Sequence, residues 1–191
     1  MMNKGQQTQE KIISATLDLI ERQGFHSTGL QQIIKASGAP KGSLYFHFPN
    51  GKDEIVADAL KQGSDLILAM IEQAFTRASD AQQAVGTLFD GLIQRLTDSE
   101  FEKGCPVATT ALEAREDHPI VAAACRDAYT CWTQALINGL VRTGLSATQA
   151  QQEATLMLSL LEGALMLSKV QYSTAPLAQA REATLARLPI S

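Results

Sequence analysis

An all-helical fold of about nine helices is predicted by three features of the sequence. Apolar residues make up 45% of the chain and aromatics only 5%, with Ala, Leu and Gln abundant, a balance that favours helices over sheets. Apolar positions recur with helical spacing in one segment after another, and no convincing strand alternation appears. Start and stop residues punctuate these segments at helix-length intervals.

The first helix is expected from Thr8 to about Gln23, with Ile12, Ala15, Thr16, Leu19 and Ile20 on one face and Ile13 beside them. Gly24 ends it, where a left-handed cap is cheap. Thr28-Gly29-Leu30-Gln31 reads as a capping box, with Thr28 as cap and Gln31 three residues on. A short second helix carries Ile33, Ile34 and Ala36 and stops at Ser37-Gly38. Pro40, well suited to a first helical position, starts a short third helix through about His47. Phe48-Pro49-Asn50-Gly51 breaks it, and Asn50 is placed to cap the next helix.

A fourth, long helix follows over about 52–78, with Asp53 and Glu54 suited to its positive end. Further helices are expected at about 81–97, 107–116, 118–143, 147–172 and 175–188, started by Asp117, by Ser146 with Gln149, and by Thr174. The organisation is then a small head at 1–52, the connecting helix, and a larger body at 79–191.

The net charge of −4 is unevenly spread. Residues 1–52 hold six Lys/Arg against three Asp/Glu, whereas the remainder holds ten against seventeen. A basic head on an acidic body suits a protein that meets phosphate at one end. There is no apolar run long enough for a membrane span, and 1–10 lack a signal-peptide core, so a cytoplasmic protein is expected. Cys105, Cys125 and Cys131 fit no zinc template and read as reduced, small apolar residues rather than a redox switch. Neither a metal-ligand cluster, nor a phosphate loop, nor a nucleophile motif is present, so no cofactor and no enzymatic activity are expected.

The two short helices separated by Ser-Gly-Ala-Pro have the form of a helix-turn-helix, whose second helix enters the DNA major groove. Its chemistry fits. Lys41 offers a cation, Gly42 lets backbone approach closely, Ser43 and Tyr45 carry hydroxyls, and His47 can donate to phosphate. Leu44 and Phe48 lie four apart and can anchor the helix, with Phe46 near them. Thr28 and Lys52, at helix starts, can reach phosphates.

The string Gly24-Phe25, Thr28, Ile33, Ala36-Ser37-Gly38-Ala39, Lys41-Gly42-Ser43-Leu44-Tyr45-Phe46-His47-Phe48 and Lys52 resembles the TetR-family DNA-binding signature. Pro49-Asn50-Gly51, Gly104-Cys105-Pro106-Val107 and Ala111-Leu112-Glu113-Ala114 resemble its LmrA/YxaF-like branch. Gly29, Ala39 and Pro40 depart from the residues common in the family. The resemblance implies a homodimer that binds a palindromic DNA operator and is released by a small effector, with Gly29 and Pro40 added to the DNA-contacting set.

In the body, the stretch 156–167 is apolar enough for a doubly buried core helix or a dimer surface; the second is preferred, with Ala154, Leu158, Leu161 and Leu165 at 4-3-4 spacing and Gly163 and Ala164 permitting close approach. Met70, Phe89, Tyr129, Trp132 and Met157 are candidates to line an effector pocket, each also explicable as plain core. Glu113, Arg115, His118 and Arg126 could orient a polar ligand group or be surface charges. The basic and hydroxyl groups at 41–52 favour retained DNA binding over a helical binding protein without it.

Overall fold

The computed structural model describes residues 3–114 and 117–189, so Arg115 lies outside the described residues. Among those described, the chain forms nine α-helices and no strand: α1 (Lys4–Gln23), α2 (Leu30–Ser37), α3 (Lys41–His47), α4 (Lys52–Arg77), α5 (Ala81–Asp98), α6 (Pro106–Glu113), α7 (Pro119–Arg142), α8 (Ala147–Gln171) and α9 (Ala175–Leu185). They belong to two compact units. One contains the segment through Asp65 together with Cys105–Ala128; the other contains Leu66–Gly104 and the segment from Tyr129 onward. No helix of the described residues is long and apolar enough to cross a membrane.

In the first unit, α1 packs on α2, α3 and α6. It begins four residues before the sequence pattern suggests, because Asn3 caps it. The Asn3 side chain accepts from Gln6 N–H at 2.9 Å, and Gln6 returns a bond to the Asn3 N–H. Its buried face is Ile12, Thr16, Leu17 and Ile20, while Ala15 and Leu19 are only half-buried. A small core joins Ile12, Ile33, Ala39, Leu44, Phe48 and Ile55, drawing on α1, α2, the turn, α3 and α4. Burying each of these branched or aromatic side chains contributes roughly 1.5–3 kcal/mol against leaving it in water.

The second unit is built round α9, which packs on α5 and α8. Ser146 and Gln149 form the expected capping box of α8, and Thr174 precedes α9. Phe89, Trp132 and Met157 are almost wholly buried. Gly139 of α7 meets Phe75 of α4: a Cβ there would sit 2.4 Å from the ring, so only glycine fits.

The cysteines differ in environment. Cys105 caps α6, its Sγ accepting from Ala108 N–H at 3.4 Å. Cys125 is buried, which pushes its thiol up to about 11, with Arg126 opposing the shift. Cys131 is exposed. The last two thus lie on different faces of α7.

Candidate nucleic-acid interface

The turn between α2 and α3 is set by two residues. Gly38 takes the left-handed conformation at φ 63°, ψ 12°, which glycine adopts without a Cβ penalty. Ala39 then tucks into the core, and its N–H donates to Ser37 Oγ at 3.3 Å. Pro40 stands just before α3 rather than inside it, with its carbonyl accepting from Ser43 N–H at 2.9 Å.

Leu44 and Phe48 are fully buried and fix α3 to the unit, as their spacing suggests. Phe46 does not join them, which corrects the expected anchor: it is 80% exposed. At 100° per residue it lies far round the helix from the Leu44–Phe48 stripe. Tyr45, 47% exposed, stands beside it. Gly42 is three residues before Tyr45 and four before Phe46, so both rings flank it on the helix surface. Nothing lies within 4 Å of where a Gly42 Cβ would be. Lys41 is exposed too, and Ser43 and His47 are half-buried. His47 faces α1, its Cε1 3.6 Å from the site of a Cβ on Gly5. The solvent face of α3 therefore presents open backbone at Gly42, two exposed aromatic rings one turn on, and a cation at its start.

Two expected contacts change character. Thr28 is fully buried, and its hydroxyl donates to the Gly24 carbonyl at 2.7 Å, so its side chain is withdrawn from the surface. The cap of α2 moves to Gly29, whose N–H donates to Gln32 Oε1 at 2.8 Å; with no side chain at Gly29 this is half a capping box, and it is made by Gln32 rather than Gln31. Lys52 opens α4 but its ammonium donates to the Phe25 carbonyl at 2.7 Å and sits 4.2 Å over the Phe25 ring. Burial pushes that ammonium below the usual lysine range, with Asp53 and Glu113 pulling it back. Lys52 is first a clamp between α4 and the α1–α2 corner. The chain enters α4 through Gly51, and Asn50 gives its backbone N–H to Glu54 Oε2 at 2.9 Å.

Several contacts that tie this unit together had no sequence signal. Glu113, the last residue of α6, accepts from His26 N–H at 2.7 Å. It can do so because Gly24 has no Cβ: one there would lie 2.6 Å from Glu113 Oε1. Gly24 also adopts φ 83°, ψ 176°, outside the left-handed helical region expected and in territory that is essentially glycine-only. His118 Nδ1 lies 2.9 Å from Asp53 Oδ2, and its ring meets Phe25 edge-on at 4.8 Å. Glu113 and His118, read from sequence as ligand-orienting candidates, are engaged inside this unit. Arg126 is exposed.

In the second unit, Ala154, Leu161 and Leu165 face inward and Leu158 is half-buried, which corrects the expected interface stripe. The outer face of α8 carries a different series, Leu156, Leu160, Gly163, Leu167 and Val170, also at 4-3-4-3 spacing. The four side chains there are exposed, and the space beside Gly163 is open. Of the five pocket candidates, Tyr129 lines a groove of about 300 Å³ with Thr133, Thr155, Leu158, Ser159 and Glu162, its hydroxyl donating to Glu162 Oε1 at 3.0 Å. The Tyr129 and Trp132 rings meet edge-on at 5.3 Å. Met70 is half-buried, with its Cε 3.0 Å from the position of a Cβ on Gly91. Among the described residues, no group of three His, Cys, Asp or Glu is arranged to hold a metal ion.

Comparison with known proteins bears on both units. A model of bacterial regulatory proteins of the tetR family matches residues 12–59, and one for the C-terminal domain of LmrA/YxaF-like transcriptional regulators matches residues 81–183. The chain is 34% identical to the HTH-type transcriptional regulator LmrA of Bacillus subtilis over 170 residues, 89% of this chain and 90% of that one. The YxaF regulator of the same organism is also 34% identical, over 89% of each. The fold is shared with a TetR transcriptional regulator from Legionella pneumophila, with a TM-score of 0.86, 19% identity and 99% of each chain covered. A cysteine mutant of the regulator CifR, complexed with 26 bp operator DNA, superposes with a TM-score of 0.83 at 20% identity over 94% of this chain and 96% of that one.

Proposed function

Because this chain belongs to the TetR family of bacterial transcriptional regulators, in its LmrA/YxaF-like branch, we propose that it is a dimeric repressor that binds a palindromic operator and is released from it by a small hydrophobic or aromatic effector. As a member of that family it is a DNA-binding regulator, not an enzyme. The observation that carries the reading is the solvent face of α3, where Lys41, the open Gly42 backbone and Tyr45 are offered outward by a helix whose Leu44 and Phe48 are locked in the core. A base edge can approach such backbone closely, while Lys41 and Pro40 at the helix start lie where a phosphate would pass.

The direct test is an anisotropy titration of upstream duplex DNA at two salt concentrations. Affinity is expected to fall steeply with salt, since several phosphates release counterions. Tyr45→Ala is expected to weaken binding roughly tenfold or more without moving the melting temperature, because the ring is half-exposed. Binding indifferent to salt, sequence and Tyr45 would overturn the proposal.

Two half-sites need two heads held about 34–36 Å apart or a multiple of that spacing. The apolar outer face of α8 supports a second copy as its cover, since Leu156, Leu160, Leu167 and Val170 form one exposed stripe on the unit that does not bind DNA. Leu167→Glu is expected to give a monomer by sedimentation and to lose operator affinity roughly a hundredfold or more, because each head then binds alone. A dimer that survives the substitution would exclude this face. Phe89, Trp132 and Met157 of the same unit are packed as core, and the groove lined by Tyr129, Thr133 and Leu158 is the place offered for an apolar or aromatic effector, one that favours a spacing of the two heads that does not fit DNA. Such a compound raises the melting temperature while weakening operator binding. The protein would work in the cytoplasm, where the DNA is.

A further inference from the structure

Phe46 takes no part in anchoring α3: Leu44 and Phe48 are fully buried while its side chain is 80% exposed. A lone apolar side chain on a surface is ordinary. This one adjoins a second exposed ring, Tyr45, on the helix face read here as the DNA-binding surface. Its ring has no donor or acceptor, so neither a phosphate oxygen nor a polar base edge gains a hydrogen bond from it. The apolar group displayed in the major groove is the C5 methyl of thymine.

The surroundings of the ring fit that group. Helical side chains lean towards the N-terminus, so Phe46 and Tyr45 both lean over the turn that begins at Gly42. Because Gly42 has no Cβ and nothing lies within 4 Å of where one would be, the backbone at Gly42 stays open on the face that Tyr45 and Phe46 share. The His47 ring meets Phe46 edge-on, with centroids 5.1 Å apart and planes at 82°, which limits the swing of the Phe46 ring.

We propose that Phe46 is a thymine-reading residue, packing its ring on the C5 methyl of one thymine in each half-site. The assignment rests on the DNA-binding reading of α3 and adds base specificity to it. It is tested with duplexes that the wild-type protein enriches from a random pool. These are resynthesised with deoxyuridine in place of thymidine, one position at a time, which removes only the methyl. Wild type is expected to lose roughly threefold to tenfold at one position per half-site, with the two half-sites multiplying. Phe46→Ala is expected to bind thymidine and deoxyuridine forms alike, at the weakened level, with an unchanged melting temperature.

Wild type that ignores deoxyuridine everywhere overturns the assignment while leaving DNA binding in place. So does a Phe46→Ala protein that keeps the full deoxyuridine penalty. Wild type that enriches no duplex at all sinks the DNA-binding reading and this assignment with it.

Discussion

Replacing Gly42 by leucine is expected to abolish operator binding while leaving the folded unit as stable as before, or slightly more so. Gly42 lies inside α3, and its would-be Cβ points into open space. The folded protein therefore has room for the larger side chain. Leucine is the better helix former by up to about 1 kcal/mol in a helix interior, so the melt should hold or rise. If α3 meets DNA as proposed, the same side chain stands on the open face beside Tyr45 and Phe46 and keeps a base edge away. A steric block in each of two heads is expected to weaken binding roughly a hundredfold or more. Thermal melts by circular dichroism and anisotropy titrations separate the two effects. Operator affinity equal to wild type would mean that another face of the unit meets DNA.

Gly24→Ala should behave in the opposite way and damage the fold itself. Two penalties fall on this position. The backbone at φ 83°, ψ 176° is one that residues with a Cβ avoid, at about 1–3 kcal/mol. The added methyl would also stand 2.6 Å from Glu113 Oε1, forcing the carboxylate away from His26 N–H. Loss of that hydrogen bond adds about 0.5–1.5 kcal/mol, since the exposed amide can turn to water. A total of about 3 kcal/mol corresponds to a melting temperature lowered by roughly 6–12 °C for a chain of this size. Glu113→Ala alone should take part of that, and the double substitution should lose less than the two singles added, since both break one contact. A Gly24→Ala protein that melts within a degree of wild type would show that the corner relaxes freely.

Helix existence and order were legible in the sequence because periodicity and caps are local. Ser146 with Gln149, the glycine turn at Gly38 and the Leu44–Phe48 pair each announce themselves within a few residues. The misreadings have physical causes. Thr28 has the chemistry of a cap, but a threonine hydroxyl can equally bond a carbonyl four residues back, and here it does. In α8 both long faces are apolar, so the series through Leu161 and the series through Leu160 have the same spacing; periodicity alone does not say which is inside. Phe46 was drawn to the core by its hydrophobicity, yet a helix of seven residues offers too few turns to fix its buried side by pattern. The bonds from Glu113 to His26, His118 to Asp53 and Lys52 to Phe25 span 87, 65 and 27 residues, and no local rule encodes them.

The unequal thiols of α7 give the molecule a built-in clock. An alkylating reagent reacts with thiolate, so it tags Cys131 on the surface at once. Cys125, shielded and held protonated near neutrality, reacts only in the brief intervals when its stretch of helix opens. The delay of the Cys125 adduct, separated by peptide mapping from those of Cys131 and the half-buried Cys105, therefore times native-state breathing in the first third of α7 with no engineered label, and repeating it with operator DNA shows whether binding at the other end slows that breathing.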